Sequence, residues 1–165
     1  MRLSIRLPVQ FRDIDRMGHV NHAVYLQYME TARVELARRL DMIRDVSSSS
    51  FIVGTAHVEY KKSITEERQV TVTCWVSRIG DQSWDLDYTV RGSGRVEFAI
   101  GRTTQVCYDY DSRSTIRVSD ELRRSLKRYS GSPLKFREAS EASWNKSRAS
   151  RSGRTTTKSC KPCML

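Results

Sequence analysis

Apolar and polar residues alternate from the start of the chain. In LSIRLPVQF the side chains of Leu3, Ile5, Leu7, Val9 and Phe11 share one side, the two-residue period of a half-buried strand. Pro8 donates no ladder hydrogen bond, which puts this strand at a sheet edge. A charged turn centred on Gly18 follows, and the period then changes. From His22 to about Leu40, the residues Tyr25, Tyr28, Met29, Ala32, Leu36 and Leu40 recur at steps of three and four. That spacing predicts a helix of about five turns with Asn21 as its N-cap. Glu35, Arg38 and Arg39 make its second half polar on more than one face, so the first half is expected to be the more buried.

Beyond the serine run at 47–50 the pattern returns to alternation. FIVGTAHVEYKKSI sets Ala56, Val58 and Tyr60 on one face, and QVTVTCWVSRI does the same with Val70, Val72, Cys74 and Val76. After a turn at Gly80-Asp81, Trp84, Leu86, Tyr88 and Val90 alternate with Asp85, Asp87 and Thr89, and RVEFAIGRTTQVCYDYD is a long strand entered through RGSGR. SDELRRSLKRY predicts a short helix with Ser119 as N-cap and Leu122 and Leu126 on one face. Turns this short between strands predict antiparallel pairing. One long helix and one sheet with a single apolar face bury each other only if the sheet lies across the helix, so the class is α+β.

At 165 residues the chain is long enough to bury a core as one domain. No run approaches the ~18 apolar residues of a membrane span, and the N-terminus reads as a strand and not as a signal peptide. A cytoplasmic protein is therefore expected. Cys74 and Cys107 sit singly inside strand-like segments, which is not a secreted disulfide framework.

The net charge of +10 points to nucleic acid or acidic membrane until its distribution is considered. Eight basic and two acidic residues lie in 131–165, so that segment carries +6 and the body, 1–130, only +4. The segment is rich in Ser, Thr, Lys and Arg and lacks apolar periodicity. It reads as a disordered tail after a folded domain at 1–130, serving either as an electrostatic arm for nucleic acid, membrane or an acidic partner, or as an inert extension. Nucleic acid is not otherwise indicated. Cys160-Lys-Pro-Cys163 has metal or redox spacing but no second pair or histidine beside it, and the terminal PCML does not place a cysteine for prenylation.

The stretch RDIDRMGHVNHAVYLQYMETAR packs Asp13, Asp15, His19 and His22 against the start of the long helix. It resembles the signature of the hotdog-fold acyl-CoA thioesterases of the 4-hydroxybenzoyl-CoA thioesterase type, in the branch that carries Asp-x-Asp-x-x-Gly-His-Val-Asn-Asn-Ala-x-Tyr. VEYKKSI, GDQSWDLDYTV, GRTTQVCYD and SDELRRSL follow in the order of that family, so the resemblance spans about residues 3–130. It implies a long helix wrapped by a curved antiparallel sheet, homodimers joined edge to edge and often tetramers, and an acyl-CoA substrate at the subunit interface. It implies no cofactor and no metal. It implies that the second aspartate of the motif, Asp15 here, is the catalytic carboxylate, and His22 stands where the family commonly has Asn, His or an aromatic residue.

The chemistry of a thioester makes so sparse a site sufficient. The leaving thiolate has a conjugate acid of pKa ~8.5, so no strong general acid is required. The free N–H groups at a helix N-terminus, here around His22 and Ala23, serve as donors to the carbonyl oxygen as it becomes negative. Asp15 either attacks the carbonyl itself or activates a water for the attack, and the sequence leaves both routes open. Asn21, Ala23, Tyr25, Lys61 and Lys62 are the expected substrate-binding residues, the lysines toward the phosphates of coenzyme A.

Each of these residues also has a plainer reading. Asp15 also suits an Asx turn, Asn21 a helix cap, and Lys61 and Lys62 a solvated strand end. Asp13 reads as a turn former or the partner of a nearby arginine, and His19 as a loop residue. The chain departs from the family branch at His22, at Ser63 where proline is frequent, and at Glu67-Arg68 where Gly-Asp is frequent. Two other functions stay in view: a metal hydrolase built on Asp13, Asp15, His19 and His22, and a non-catalytic module binding acyl-CoA or an acyl carrier protein.

Overall fold

The computed structural model describes residues 1–42, 51–65 and 67–137. Its elements in chain order are β1 (Leu3–Pro8), α1 (His22–Arg39), β2 (Phe51–Tyr60), β3 (Gln69–Ile79), β4 (Ser83–Arg91), β5 (Glu97–Asp109), β6 (Ser114–Thr115) and α2 (Asp120–Lys127). The serine run, residues 138–165 and the Cys160–Cys163 pair lie outside the described residues. One sheet carries the strands in the order β1-β3-β4-β5-β2, with β6 paired to β5, and every pairing between these strands is antiparallel. The α+β class expected from the pattern is the class observed.

α1 packs on the inner face of this sheet. Met29, Ala32 and Leu36 are fully buried with Val70, Val72, Cys74, Leu86, Tyr88 and Val90, the alternating side chains of β3 and β4. Gly101 on β5 lets the helix come close: a Cβ there would lie 2.7 Å from the Met29 sulfur. Asn21 caps α1, accepting from the Ala23 amide at 2.9 Å, and Ser119 caps α2 through the Leu122 amide at 3.2 Å.

Three features depart from the pattern. β1 stops at Pro8, and the chain enters a 3-10 turn over Phe11–Asp13 that leaves Phe11 97% exposed, so Phe11 does not extend the apolar face of the strand. The turn forms because Asp13 closes back on Gln10: the Gln10 amide donates to Asp13 Oδ2 and the Asp13 amide to the Gln10 carbonyl, each at 2.9 Å. β2 is not half-buried as its alternation implies. Ala56 and Tyr60 are exposed and Val58 only partly covered, because β2 is an edge strand bonded on one side, to β5.

The third departure is the outer face of the sheet, where Asp85, Asp87 and Thr89 are buried and not solvated. Arg102 grips Asp87 with two nitrogens, at 2.6 and 2.8 Å, and Ser77 adds a third bond at 2.8 Å. Arg78 grips Asp85 at 2.6 and 3.1 Å, and Thr104 donates to the same carboxylate at 2.8 Å. Residues 131–134, read from the sequence as the start of the tail, close over this face. The Leu134 amide donates to Asp87 at 2.6 Å, the indole of buried Trp75 donates to the Ser132 carbonyl at 2.9 Å, and Gly131 lies against the Trp75 ring where a Cβ would not fit. Carboxylates survive burial when charge-assisted bonds satisfy them in this way.

Candidate active site

The loop between β1 and α1 is a tight hairpin. Ile14 and Val20 form an antiparallel bridge, the Asp15 amide donates to the His19 carbonyl at 2.8 Å, and the Gly18 amide donates to the Asp15 carbonyl at 3.0 Å. This is a type I turn followed by a residue in the left-handed region, Gly18 at φ +76, the arrangement a three-residue hairpin loop takes. Asp15 opens the turn, and its Oδ1 accepts from the Met17 amide at 2.8 Å and the His19 amide at 3.3 Å. The Asx turn is therefore present. It uses one carboxylate oxygen and leaves Oδ2 without a partner among the described residues.

Asp13 takes the structural role expected of it, with a different partner. Its carboxylate meets no arginine among the described residues: Oδ2 accepts from the buried Tyr28 hydroxyl of α1 at 2.8 Å and from Gln10. Burial, reinforced by the adjacent carboxylate, pushes the Tyr28 phenol well above its ordinary value, so it stays a donor. The Asp13 carbonyl also accepts from the Asn21 amide at 2.8 Å, and Val20 donates to the Ile64 carbonyl at 2.9 Å. Together these bonds hold both ends of the loop that carries Asp15.

The start of α1 has two amides to compare. Ala23 was expected to offer its N–H, but that N–H is spent on the Asn21 side chain, and Asn21 is occupied as the cap. The His22 amide has no acceptor among the described residues. It stands at the positive end of an 18-residue helix and is the donor left for a ligand.

A cleft of about 300 Å³ brings Asp15, His22, Tyr25, Lys61 and Lys62 together with His19, Val20, Tyr60 and Ser63. Asn21 and Ala23, the other two residues expected here, do not line it. Tyr60, at the end of β2, donates to the His22 carbonyl at 3.0 Å, and its ring stands edge-on to Tyr25 at 5.2 Å and to His22 at 6.5 Å. The Tyr25 hydroxyl points back across the same gap toward the Lys62 carbonyl at 3.5 Å. Burial raises both phenols; for Tyr25 it outweighs a hydrogen bond with the Ile64 backbone.

The two lysines differ. Lys61 is committed to Glu97 at 2.6 Å, and Arg91 binds the other oxygen of that carboxylate at 2.9 Å. Burial alone would raise the Glu97 carboxyl, but the two cations outweigh it and hold it low. Lys62 has no anionic partner among the described residues and is the lysine available to a phosphate. Sequence reasoning missed Tyr60 and Ser63 as cleft residues; the signal was their position on either side of the lysine pair in VEYKKS. Among the described residues, Asp13, Asp15, His19 and His22 do not converge as a metal-holding cluster, and no helix is long and apolar enough to cross a membrane. A larger hollow of about 510 Å³ lies past the other end of α1, bounded by Leu40, Cys107, Ile116 and Leu122, and contains none of the candidate residues.

Residues 9–126 match the family model of the thioesterase-like superfamily. The long-chain acyl-CoA thioesterase FadM of Escherichia coli is 24% identical over 128 residues, which cover 75% of this chain and 96% of FadM. A thioesterase from Thermus thermophilus, solved with coenzyme A and zinc, is 28% identical with a TM-score of 0.69, over 79% of this chain and 95% of its own. A predicted thioesterase from Bacillus stearothermophilus aligns with a TM-score of 0.76 at 20% identity, over 81% of this chain and 100% of its own.

Proposed function

This chain belongs to the thioesterase-like superfamily and has the hotdog fold, a long helix wrapped by an antiparallel sheet, and we propose that it hydrolyses acyl-CoA to a free carboxylic acid and coenzyme A. One observation carries the proposal: a carboxylate with an unpartnered oxygen, on Asp15, and the helix that begins with the unpartnered His22 amide border a single cleft.

In this reading the thioester carbonyl points its oxygen at the His22 amide. Asp15 takes a proton from a water as the water oxygen bonds to the acyl carbon, or bonds to that carbon itself. The carbon–sulfur bond then breaks, and the sulfur leaves as the thiolate of coenzyme A with its electron pair; in the second route water next cleaves the acyl–Asp15 anhydride, which releases the acid and restores the carboxylate. The N–H at the helix start stabilises the oxyanion formed between these steps. The His22 ring and Tyr25 flank the acyl group, and Lys62 meets the coenzyme A phosphates. Asn21 contributes by holding the helix start, and Lys61 by holding Glu97. The chemistry calls for no cofactor, since coenzyme A is part of the substrate.

The exposed β2 edge, with Ile52 and Val53 on it, supports a homodimer formed by pairing that strand across two copies, with the 4-hydroxybenzoyl-CoA type of assembly and a cytoplasmic location following from the same reading. The test is thiol release over a panel of acyl-CoA substrates, aliphatic and aromatic, with the native protein and Asp15→Asn. A loss of ~100-fold or more in the variant is expected. Equal rates in the two proteins defeat the assignment, and coenzyme A binding without turnover assigns the chain to a binding module.

A further inference from the structure

We propose that Tyr60 is a positioning residue for this hydrolysis: its hydroxyl bond to the His22 carbonyl fixes the residue whose amide serves as oxyanion donor. The proposal rests on the reading of the His22 amide given above.

Tyr60 does not earn its place by filling the core. It is the last residue of β2 and is 48% exposed, yet its hydroxyl donates at 3.0 Å to the carbonyl of the first residue of α1. The same side chain places its ring edge-on to both His22 and Tyr25. Tyr25 answers from the helix with its hydroxyl 3.5 Å from the Lys62 carbonyl, two residues past Tyr60. Two phenols thus cross the gap in opposite directions and clasp the helix start to the end of an edge strand. The 3.0 Å bond is the stronger of the two.

The position of the clasp matters because of what surrounds His22. The first turn of a helix has no intrahelical acceptors for its N–H groups, so its geometry depends on the cap and on outside contacts. Asn21 fixes the Ala23 amide, and Tyr60 holds His22 from its carbonyl side. A catalytic donor displaced by 1 Å can cost ~100-fold, so a bond that limits the motion of this residue acts on rate through the position of His22. A phenol is protonated at neutral pH, and partial burial shifts this one further upward, so it remains a donor.

Tyr60→Phe separates the two contributions, because it keeps the ring contacts and removes the donor. With whichever acyl-CoA the native protein turns over fastest, kcat is expected to fall about 10-fold or more, with KM changed less than about two-fold and the melting temperature unchanged. The Ala23 and Val24 amides, both bonded to Asn21 at the helix start, are expected to exchange with deuterium faster in the variant, a local signature that a purely structural role would not give. A native kcat in Tyr60→Phe overturns the proposal, as does a fall in kcat matched by a fall in melting temperature with the exchange of these two amides unaltered. Asp15→Asn assayed beside it separates the two levels of inference. Loss of turnover in Asp15→Asn with full turnover in Tyr60→Phe rejects only the role of Tyr60, whereas equal turnover of Asp15→Asn and native protein rejects the hydrolysis itself.

Discussion

The Tyr28 hydroxyl donates to Asp13 Oδ2 across 2.8 Å in a buried contact between α1 and the loop in front of it. This bond joins the helix that carries the proposed oxyanion donor to the turn that carries the proposed catalytic carboxylate, two residues before Asp15. Tyr28→Phe leaves Asp13 with only the Gln10 amide on that oxygen. Removing one partner of a buried carboxylate costs about 1–3 kcal/mol, so the urea midpoint is expected to fall accordingly. Activity is expected to fall further than stability at a temperature where both proteins are folded, because Asp15 and His22 lose a shared anchor.

The cap on α1 gives a second expectation. Asn21→Ala removes the acceptor of the Ala23 amide and is expected to cost about 1 kcal/mol in equilibrium unfolding, with most of that recovered in Asn21→Ser or Asn21→Asp, which restore an acceptor. An unchanged unfolding free energy in Asn21→Ala contradicts the capping role.

Gly18 tests the turn that presents Asp15. A Cβ at this position meets no atom within 4 Å, so Gly18→Ala introduces no clash and its cost is that of holding alanine at φ +76, about 1–2 kcal/mol. Gly18→Asn is expected to cost less, since asparagine tolerates this region. In a thiol-release assay Gly18→Ala is expected to lose kcat as the turn relaxes and Asp15 shifts.

Asp85 and Glu97, two carboxylates held low by neighbouring cations, are expected to set the acid limit of stability. Burial alone would raise the Asp85 carboxyl, but the Arg78 and Thr104 bonds outweigh it, and the folded-state value lies below the ordinary one. Glu97 is lowered in the same way by Lys61 and Arg91. A group whose pKa is lower when folded contributes stability that is complete above its unfolded value and lost as pH falls toward the folded one. The unfolding midpoint is therefore expected to decline as pH drops below ~4, the ordinary range of a free carboxyl. Asp85→Asn is expected to be less stable at neutral pH and to show a shallower acid decline, read by thermal melts across the pH series.

Legibility in the sequence followed the range of the interactions involved. The periodicity of Tyr25, Tyr28, Met29, Ala32 and Leu36 announced α1 because each of those residues answers to the same neighbouring sheet, and all are buried. Of the seven residues expected to meet, Asp15, His22, Tyr25, Lys61 and Lys62 line one cleft and Asn21 and Ala23 do not. Alternation misplaced Asp85 and Asp87, since a polar residue between apolar ones reads as solvated. What buries them comes from elsewhere in the chain: Arg78 and Arg102 from the neighbouring strands, and the backbone near Leu134. The Asp13 partner was misread for a similar reason, because Tyr28 reaches it only once the helix has folded back over the loop.

The sequence alone determined the long helix and its cap, the antiparallel strands, the turn at Gly18 and the motif shared with the thioesterase-like superfamily. Each of these depends on groups a few residues apart, whose backbone preferences and spacing are written along the chain. Only the tertiary structure decided which of those groups remain available. It spends the Ala23 amide on Asn21 and Lys61 on Glu97, leaves the His22 amide and one oxygen of Asp15 without a partner among the described residues, and brings Tyr60 across from β2 to the helix start. A hydrogen-bonding group can be counted from sequence, but whether it is already satisfied depends on partners that are distant in the chain and adjacent only after folding.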